Sequence, residues 1–326
     1  MKEEILAILR RQEGFVSGQM LCERLGVSRT AVWKWINILK NEGYEIESVT
    51  RKGYRLLHSP DVLTEDMIRQ SLPEEVWPGK VHCFSSVDST NEAAKRADAG
   101  EAADGALFVA DRQTAGRGRR GRSWSSPEGK DIFCSILLRP ELPAEDASML
   151  TLVTALAAAA ALEQRGGEPC QIKWPNDVIL HGKKLCGILT EMGIEMEEIS
   201  YVVIGVGFNL NREAFPEEIA DMASSLYRET GRRVVRAEFL GDFIREFLDR
   251  YRIFLRERSL VPFVEEYESR LVNIGREVRL ICRGQEVIRR AEGINARGEL
   301  VVRDALGQKE TVCGGEVSVR GLYGYV

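Results

Sequence analysis

Residues 149–162 constrain the fold of this chain more than any other segment. The run MLTLVTALAAAAAL carries no charge and no polar face, so a helix formed there has to be covered on all sides. It falls short of the about 20 apolar residues that cross a bilayer. The cover left to it is a sheet, and the sequence supplies the strands. Apolar segments occur at 82–85, 106–110, 132–138, 172–174, 178–180, 185–191 and 201–206, with helical spacing at 63–72, 92–99, 147–164, 236–256 and 263–270. The segments between 178 and 206 follow one another without helices, and His181-Gly182 offers a tight turn. That part of the sheet is therefore expected to be antiparallel or mixed. The fold class that follows is α/β, in its α+β form.

At 326 residues, 44% hydrophobic and 29% charged, the chain reads as an ordinary soluble globular protein with room for two or three domains. Its net charge of −5 argues against a protein that coats nucleic acid over its whole surface. The average conceals an asymmetry: residues 1–58 hold ten Lys/Arg against seven Asp/Glu, on an otherwise acidic body. The cysteines, at 22, 83, 134, 170, 186, 282 and 313, form no C-x-x-C pair and no zinc spacing. They are expected to be reduced thiols of a cytoplasmic protein, and no metal site is expected. Met1-Lys-Glu-Glu leads directly into a helical pattern, unlike a signal peptide.

The basic N-terminal segment reads as a helix-turn-helix with a wing. Ile5, Leu6, Ile8 and Leu9 mark a first helix, Ser17 or Gly18 caps a second that Gly26 stops, and Ser28 caps a third over 29–41. Val32, Trp33, Ile36 and Leu39 are expected to form the buried stripe of that third helix. Two β segments, 44–49 and 53–57, meet at Thr50-Arg-Lys. In a DNA-binding reading Arg29, Thr30, Lys34 and Asn37 face a major groove, while Arg51, Lys52 and Arg55 touch phosphates from the wing. A single small head usually gains specificity by dimerising; the same fold also serves protein contacts alone. His58-Ser-Pro-Asp is a linker, and beyond Ile274 the texture changes to short β segments separated by Gly284, Gly298, Gly307 and Gly314-Gly315. The expected domains are 1–58, 63–272 and 273–326.

Four motifs carry chemistry. Gln113-Thr-Ala-Gly-Arg-Gly-Arg-Arg-Gly-Arg-Ser-Trp124 follows a hydrophobic strand. Gly116, Gly118 and Gly121 let successive N–H groups converge, and Arg117, Arg119, Arg120 and Arg122 add forks for phosphate or carboxylate. It is not a P-loop, and the same composition would serve a solvated loop or an RNA contact. Lys173-Trp-Pro-Asn-Asp177 delivers Asn176 and Asp177 at a strand end, with Lys184 on the next strand. Taken alone, a hairpin with an Asx turn and an exposed lysine pair explains that segment slightly better. Ser89, Thr90 and Asn91 open a helix, where they either cap it or meet a polar ligand. Gly205-Val-Gly-Phe-Asn209 ends a β segment with glycines that permit close approach.

Together these segments resemble the bifunctional biotin–protein ligase/biotin operon repressor family, over essentially the whole chain. The resemblance rests on Ser89-Thr-Asn91, Gly116–Arg122, Lys173–Asp177, Lys184-Leu-Cys-Gly187 and Gly314-Gly315-Glu316. It implies a winged helix-turn-helix, a mixed-sheet catalytic domain of class II synthetase-like biotin–lipoate ligase type, and a small SH3-like β domain. It also implies two reactions: ATP and biotin give biotinyl-5′-adenylate, with Mg²⁺ on the phosphates. A lysine of the biotin carboxyl carrier protein of acetyl-CoA carboxylase then takes the biotin. The family's biotin contacts map onto Ser89, Thr90, Asn91, Gln113, Gly116, Arg117, Gly118, Arg119, Lys184, Gly187, Gly205 and Gly207. Its nucleotide contacts map onto Arg117, Arg119, Arg120, Arg122, Trp124, Lys173, Asn176 and Asn209. Lys184, Asp177 and Arg119 become the catalytic residues, Asp177 orienting or deprotonating the acceptor lysine. The adenylate further acts as corepressor, under which the protein forms a homodimer and binds operator DNA. The segment 212–225, where the family closes over adenine, offers no residue-level expectation here. The sheet edge at 185–206 is the expected dimer face.

Overall fold

The computed structural model describes the chain apart from residues 11, 13, 42, 59–60, 73–78, 99–103, 196–197, 283–284, 314–316 and 322–326. Gly314-Gly315-Glu316 thus lies outside the described residues. The chain divides into two compact units, Met1–Val62 and Leu63–Val326.

The first unit consists of α1 (Lys2–Arg10), α2 (Gly18–Leu25), α3 (Arg29–Asn41), β1 (Glu45–Val49) and β2 (Gly53–His58), the two strands antiparallel. The caps fall where the sequence puts them: Ser17 accepts from the Met20 amide, Gly26 is left-handed, and Ser28 Oγ accepts from the Ala31 amide at 3.2 Å. Val16 pairs with Tyr54 through two backbone bonds. A Cβ on Gly53 would lie 2.0 Å from the Val16 carbonyl oxygen, so only glycine fits there, at φ 108°. Ile5, Leu9, Val32, Ile36 and Leu39 fill the core. Trp33 does not join them: it is 60% exposed. Val32, Ile36 and Leu39, spaced four and three apart, complete the inner stripe, and Trp33 lies about 100° round the helix from Val32.

The second unit starts with α4 (Glu65–Ser71), β3 (Val81–Phe84), α5 (Thr90–Asp98), β4 (Ala106–Ala110), β5 (Ile132–Leu138) and α6 (Met149–Gly166). Next come β6 (Gln171–Lys173), β7 (Asp177–Leu180), β8 (Lys183–Glu195), β9 (Glu198–Phe208), α7 (Glu217–Ala220), α8 (Leu226–Thr230), α9 (Arg236–Glu257) and α10 (Val264–Arg270). The strands form one seven-stranded sheet, ordered β3-β4-β5-β9-β8-β7-β6. Only β3–β4 is parallel. By length and composition residues Ala144–Gly166 would reach across a bilayer, but 72% of an apolar 18-residue window within that span is buried inside the protein. α6 is the core helix, packed against β6, β7, β8 and α9. Phe208 anchors α9 by edge contacts to Phe239 and Phe243 at 4.9 and 5.0 Å.

β8 and β9 lie in the interior of the sheet, between β7 and β5, which corrects the expectation that they form its edge. The part of β8 beyond Ile188 nevertheless runs past β7 and carries exposed Met192 and Ile194. A second sheet, wholly antiparallel, comprises β10 (Glu277–Cys282), β11 (Gln285–Ile294), β12 (Leu300–Arg303), β13 (Lys309–Val312) and β14 (Val317–Gly321), in the order β13-β12-β11-β10-β14.

At the β7–β8 turn, His181 sits between Glu229 Oε2 at 3.0 Å and Glu168 Oε2 at 2.9 Å. Its hydrogen bond to Glu229, reinforced by Glu168, raises its pKa above 6.5 against the opposing effect of burial. A raised folded-state pKa stabilises below the unfolded value and loses that contribution as pH climbs through the folded one. The melting-temperature advantage of the natural chain over His181→Gln is thus expected to be greatest below pH 6.5 and to fade as pH rises above it.

Candidate active site

Polar groups at the start of α5 converge on the central strands. Ser89, Thr90 and Asn91 are all buried. Gln113 Oε1 accepts from the Thr90 amide at 2.8 Å, and Gln113 Nε2 donates to Ser126 Oγ at 3.0 Å. Ser135 Oγ, on β5, lies 2.7 Å from Thr90 Oγ1 and 2.6 Å from Asn91 Oδ1. Asn91 Nδ2 donates to Glu191 Oε2 at 2.7 Å, and Glu191 Oε1 takes Lys95 Nζ at 2.6 Å. Burial alone would raise the Glu191 pKa; the Asn91 and Lys95 bonds outweigh it and hold the carboxyl below its ordinary range. Gly205 is needed by this cluster, since a Cβ there would meet Asn91 Oδ1 at 2.1 Å.

The arginine loop folds back on itself. The Trp124 amide donates to the Gly116 carbonyl at 2.9 Å and the Gly118 amide to that of Arg122 at 2.7 Å, with Arg120 and Gly121 in the left-handed region. Arg117 pairs with Glu92 on α5 at 2.8 Å, and Arg119 donates to Asn176 Oδ1 at 2.7 Å. Burial, aided by Arg120 and Arg122, pulls the Arg119 pKa below its ordinary value, while Asp177 opposes the shift. An incoming anion would offset that cost of burying the guanidinium.

Trp174 presents Asn176 and Asp177. Its peptide to Pro175 is cis. Its indole donates to the Gly298 carbonyl at 2.9 Å, and its amide to Asn273 Oδ1 at 3.2 Å. Tyr267 Oη donates to the Pro175 carbonyl at 3.4 Å. Asn176 Nδ2 donates to the Ile188 carbonyl and to Asp177 Oδ1. Lys184 Nζ meets Asp177 Oδ1 at 2.5 Å and also stands over the Trp124 ring, 5.1 Å from its centroid.

Two cavities share Trp124, Gly118, Arg119, Asn176 and Lys184 as their common wall. The smaller, about 50 Å³, is lined by every expected biotin contact except Gly116, which lies behind Trp124 and Ser126. The larger, about 790 Å³, is lined by every expected nucleotide contact except Arg117, which faces the smaller one; Asp177 lines it too. The Trp124 ring rests on Gly207 and Gly187, where a Cβ would approach it to 2.5 and 2.6 Å. Its buried indole N–H meets no acceptor among the described residues. Gly207→Ala is expected to unseat this ring, at about 1–3 kcal/mol of stability. Urea unfolding and a red shift of tryptophan emission would record it.

The larger cavity includes residues that sequence reasoning passed over. Arg212, only 5% exposed, donates from Nε to Asp131 Oδ2 at 2.7 Å and from Nη2 to the Ser125 carbonyl at 2.9 Å. Its guanidinium lies 4.6 Å from the Phe215 centroid. Asp131 is fully buried and also accepts from the Leu210 amide at 2.9 Å, while buried Arg236 bonds the Asp131 carbonyl and Asp111. Arg212, in the segment after β9, thus holds the residue that follows Trp124, while Arg236 on α9 joins Asp131 to Asp111 ahead of the loop. The signal available for this network was a charged residue just before an apolar strand (Asp131).

Residues 83–209 match the Biotin/lipoate A/B protein ligase family, residues 2–55 an HTH domain, and residues 274–320 the Biotin protein ligase C terminal domain. The bifunctional ligase/repressor BirA of Bacillus subtilis is 39% identical over 298 residues, 91% of each chain. The chain belongs to the bifunctional ligase/repressor family of biotin protein ligases. The Escherichia coli bifunctional ligase/repressor BirA is 32% identical over 317 residues, 97% of this ligase and 96% of that chain. A biotin protein ligase from Aquifex aeolicus, solved in complex with biotin and ATP, superposes with a TM-score of 0.66 at 34% identity. It covers 74% of this ligase and 98% of its own length. In the head of this ligase Arg29, Thr30 and Lys34 are exposed on α3 with Asn37 half-buried, and Arg51 and Lys52 are exposed on the wing. Arg55 differs: its guanidinium is committed to Glu47 at 2.7 and 3.1 Å, which takes it away from a phosphate.

Proposed function

We propose that the second unit makes biotinyl-5′-adenylate from biotin and ATP and passes the biotin to a lysine of a biotin carboxyl carrier protein. Biotin occupies the smaller cavity once Trp124 moves, because about 50 Å³ does not admit its fused rings. ATP takes the larger one. The biotin carboxylate attacks the α-phosphorus and pyrophosphate leaves. Arg119, held by Asn176, and Lys184 offset the charge that develops there. Mg²⁺ is proposed to travel with the phosphates.

The contact between Lys184 and Asp177 carries this reading. When Lys184 turns to the phosphate it releases the Asp177 carboxylate, which then accepts a proton from the acceptor lysine. The freed amine attacks the acyl carbon and AMP leaves. One pair thereby serves both half-reactions in sequence. Purified protein is expected to exchange pyrophosphate with ATP only when biotin is present. Exchange with lipoate or octanoate instead would overturn the substrate assignment.

The head is proposed to bind operator DNA of biotin genes in the cytoplasm, as a homodimer with the adenylate as corepressor. Exposed Met192 and Ile194 at the projecting end of β8 support that region as the pairing surface. Operator retention on a gel should need both biotin and ATP, and should weaken when Lys34 or Arg51 becomes alanine. Retention that is indifferent to both ligands would exclude the corepressor role.

A further inference from the structure

The exposed face of α3 holds one residue that neither phosphate binding nor core packing explains. Positions 30, 33, 34 and 37 share that face. Thr30 and Lys34 are exposed, Asn37 is half-buried, and between them Trp33 is 60% exposed. The helix is fully seated without it, since Val32, Ile36 and Leu39 are each no more than 1% exposed. Nor is the face apolar: Arg29 opens the helix, steered by Gln19 Oε1 at 3.3 Å, and Lys34 follows. An indole that shares its helix face with Lys34, one turn after Arg29, on a net-positive head suits a polyanion that also offers small apolar features. Duplex DNA is such a partner, and in its major groove only thymine presents a methyl group.

We infer that Trp33 reads thymine, its indole packing against 5-methyl groups in each half-site, while Lys34, Arg51 and Lys52 hold phosphates. This rests on the repressor reading and adds a base preference to it. Arg29, Thr30 and Asn37 supply hydrogen-bonding groups for base edges; Trp33 supplies the contact that needs no hydrogen bond. The head would then bind sites in which a thymine falls under the fifth residue of α3.

The test uses the full chain with biotin, ATP and Mg²⁺ to enrich duplexes from a random-sequence pool. Each thymine of the enriched duplex is then replaced by deoxyuracil, which removes only the methyl. At one or two positions per half-site the natural chain should lose roughly fivefold or more in affinity. Trp33→Ala should lose less than about twofold at the same positions, with Trp33→Phe between them. Biotin-dependent pyrophosphate exchange should be unchanged in both variants, showing an intact second unit, and an unchanged helical circular dichroism signal should show that the head is folded. If uracil is tolerated everywhere, or if Trp33→Ala responds to it as the natural chain does, Trp33 does not read thymine. If Trp33→Ala instead changes sedimentation without DNA, the indole belongs to an interface between copies and the inference is overturned. Failure to enrich any duplex would remove the repressor reading itself, a result distinct from either.

Discussion

Asp131→Ala is expected to destabilise the second unit by about 3–5 kcal/mol, read as a lower urea midpoint. The carboxylate is fully buried and faces Arg212, which is nearly so. Removing it strands a guanidinium out of water, and the buried Arg236 beside it loses a neighbouring negative charge. The consequence extends past stability. Arg212 holds Ser125, the residue after Trp124, and underlies Phe215. A chain that still folds should therefore show a raised KM for ATP. Ser125→Ala, which removes only the Oγ contact at 3.2 Å, should leave the fold intact and move KM slightly in the same direction. Unchanged stability in Asp131→Ala would mean that the pair contributes nothing.

Lys184→Ala is expected to slow adenylate formation about 10²–10³-fold, the usual effect of losing one charge-stabilising donor in a closed site. Asp177→Asn separates the two half-reactions. It frees Lys184, so pyrophosphate exchange should persist, while transfer to the carrier lysine should fall by about 10²-fold or more for want of a base. Single-turnover transfer from preformed adenylate measures the second effect alone. Equal losses in both steps for Asp177→Asn would show that its carboxylate serves only to place Lys184.

The contrast between what the sequence revealed and what it withheld follows from distance along the chain. Caps at Ser17, Gly26 and Ser28 were legible because each acts within a few residues, and the strands around α6 because an all-apolar helix demands them. The arginine loop and Lys173–Asp177 were legible as composition, and the family resemblance gave them roles. The Arg212–Asp131 pair spans 81 positions and the Asn91–Glu191 bond 100, and no local pattern encodes either. Strand order is equally non-local, which is why 185–206 read as an edge although β8 and β9 lie between β7 and β5, with only the part of β8 beyond Ile188 running past β7. Trp33 misled for another reason: periodicity assigns any apolar residue next to a buried stripe to that stripe, whether or not the packing has room.

The turn bearing Asp177 owes its shape to residues made much later. Trp174 is fastened to Asn273 and Gly298, 99 and 124 positions downstream, and Pro175 to Tyr267. On the ribosome the loop and the strands can be complete while these fastenings do not yet exist. A nascent or prematurely terminated chain would carry the ligand-binding glycines and arginines without a shaped acceptor turn. It would be a mute precursor, unable to hand biotin to a carrier before synthesis has passed Gly298.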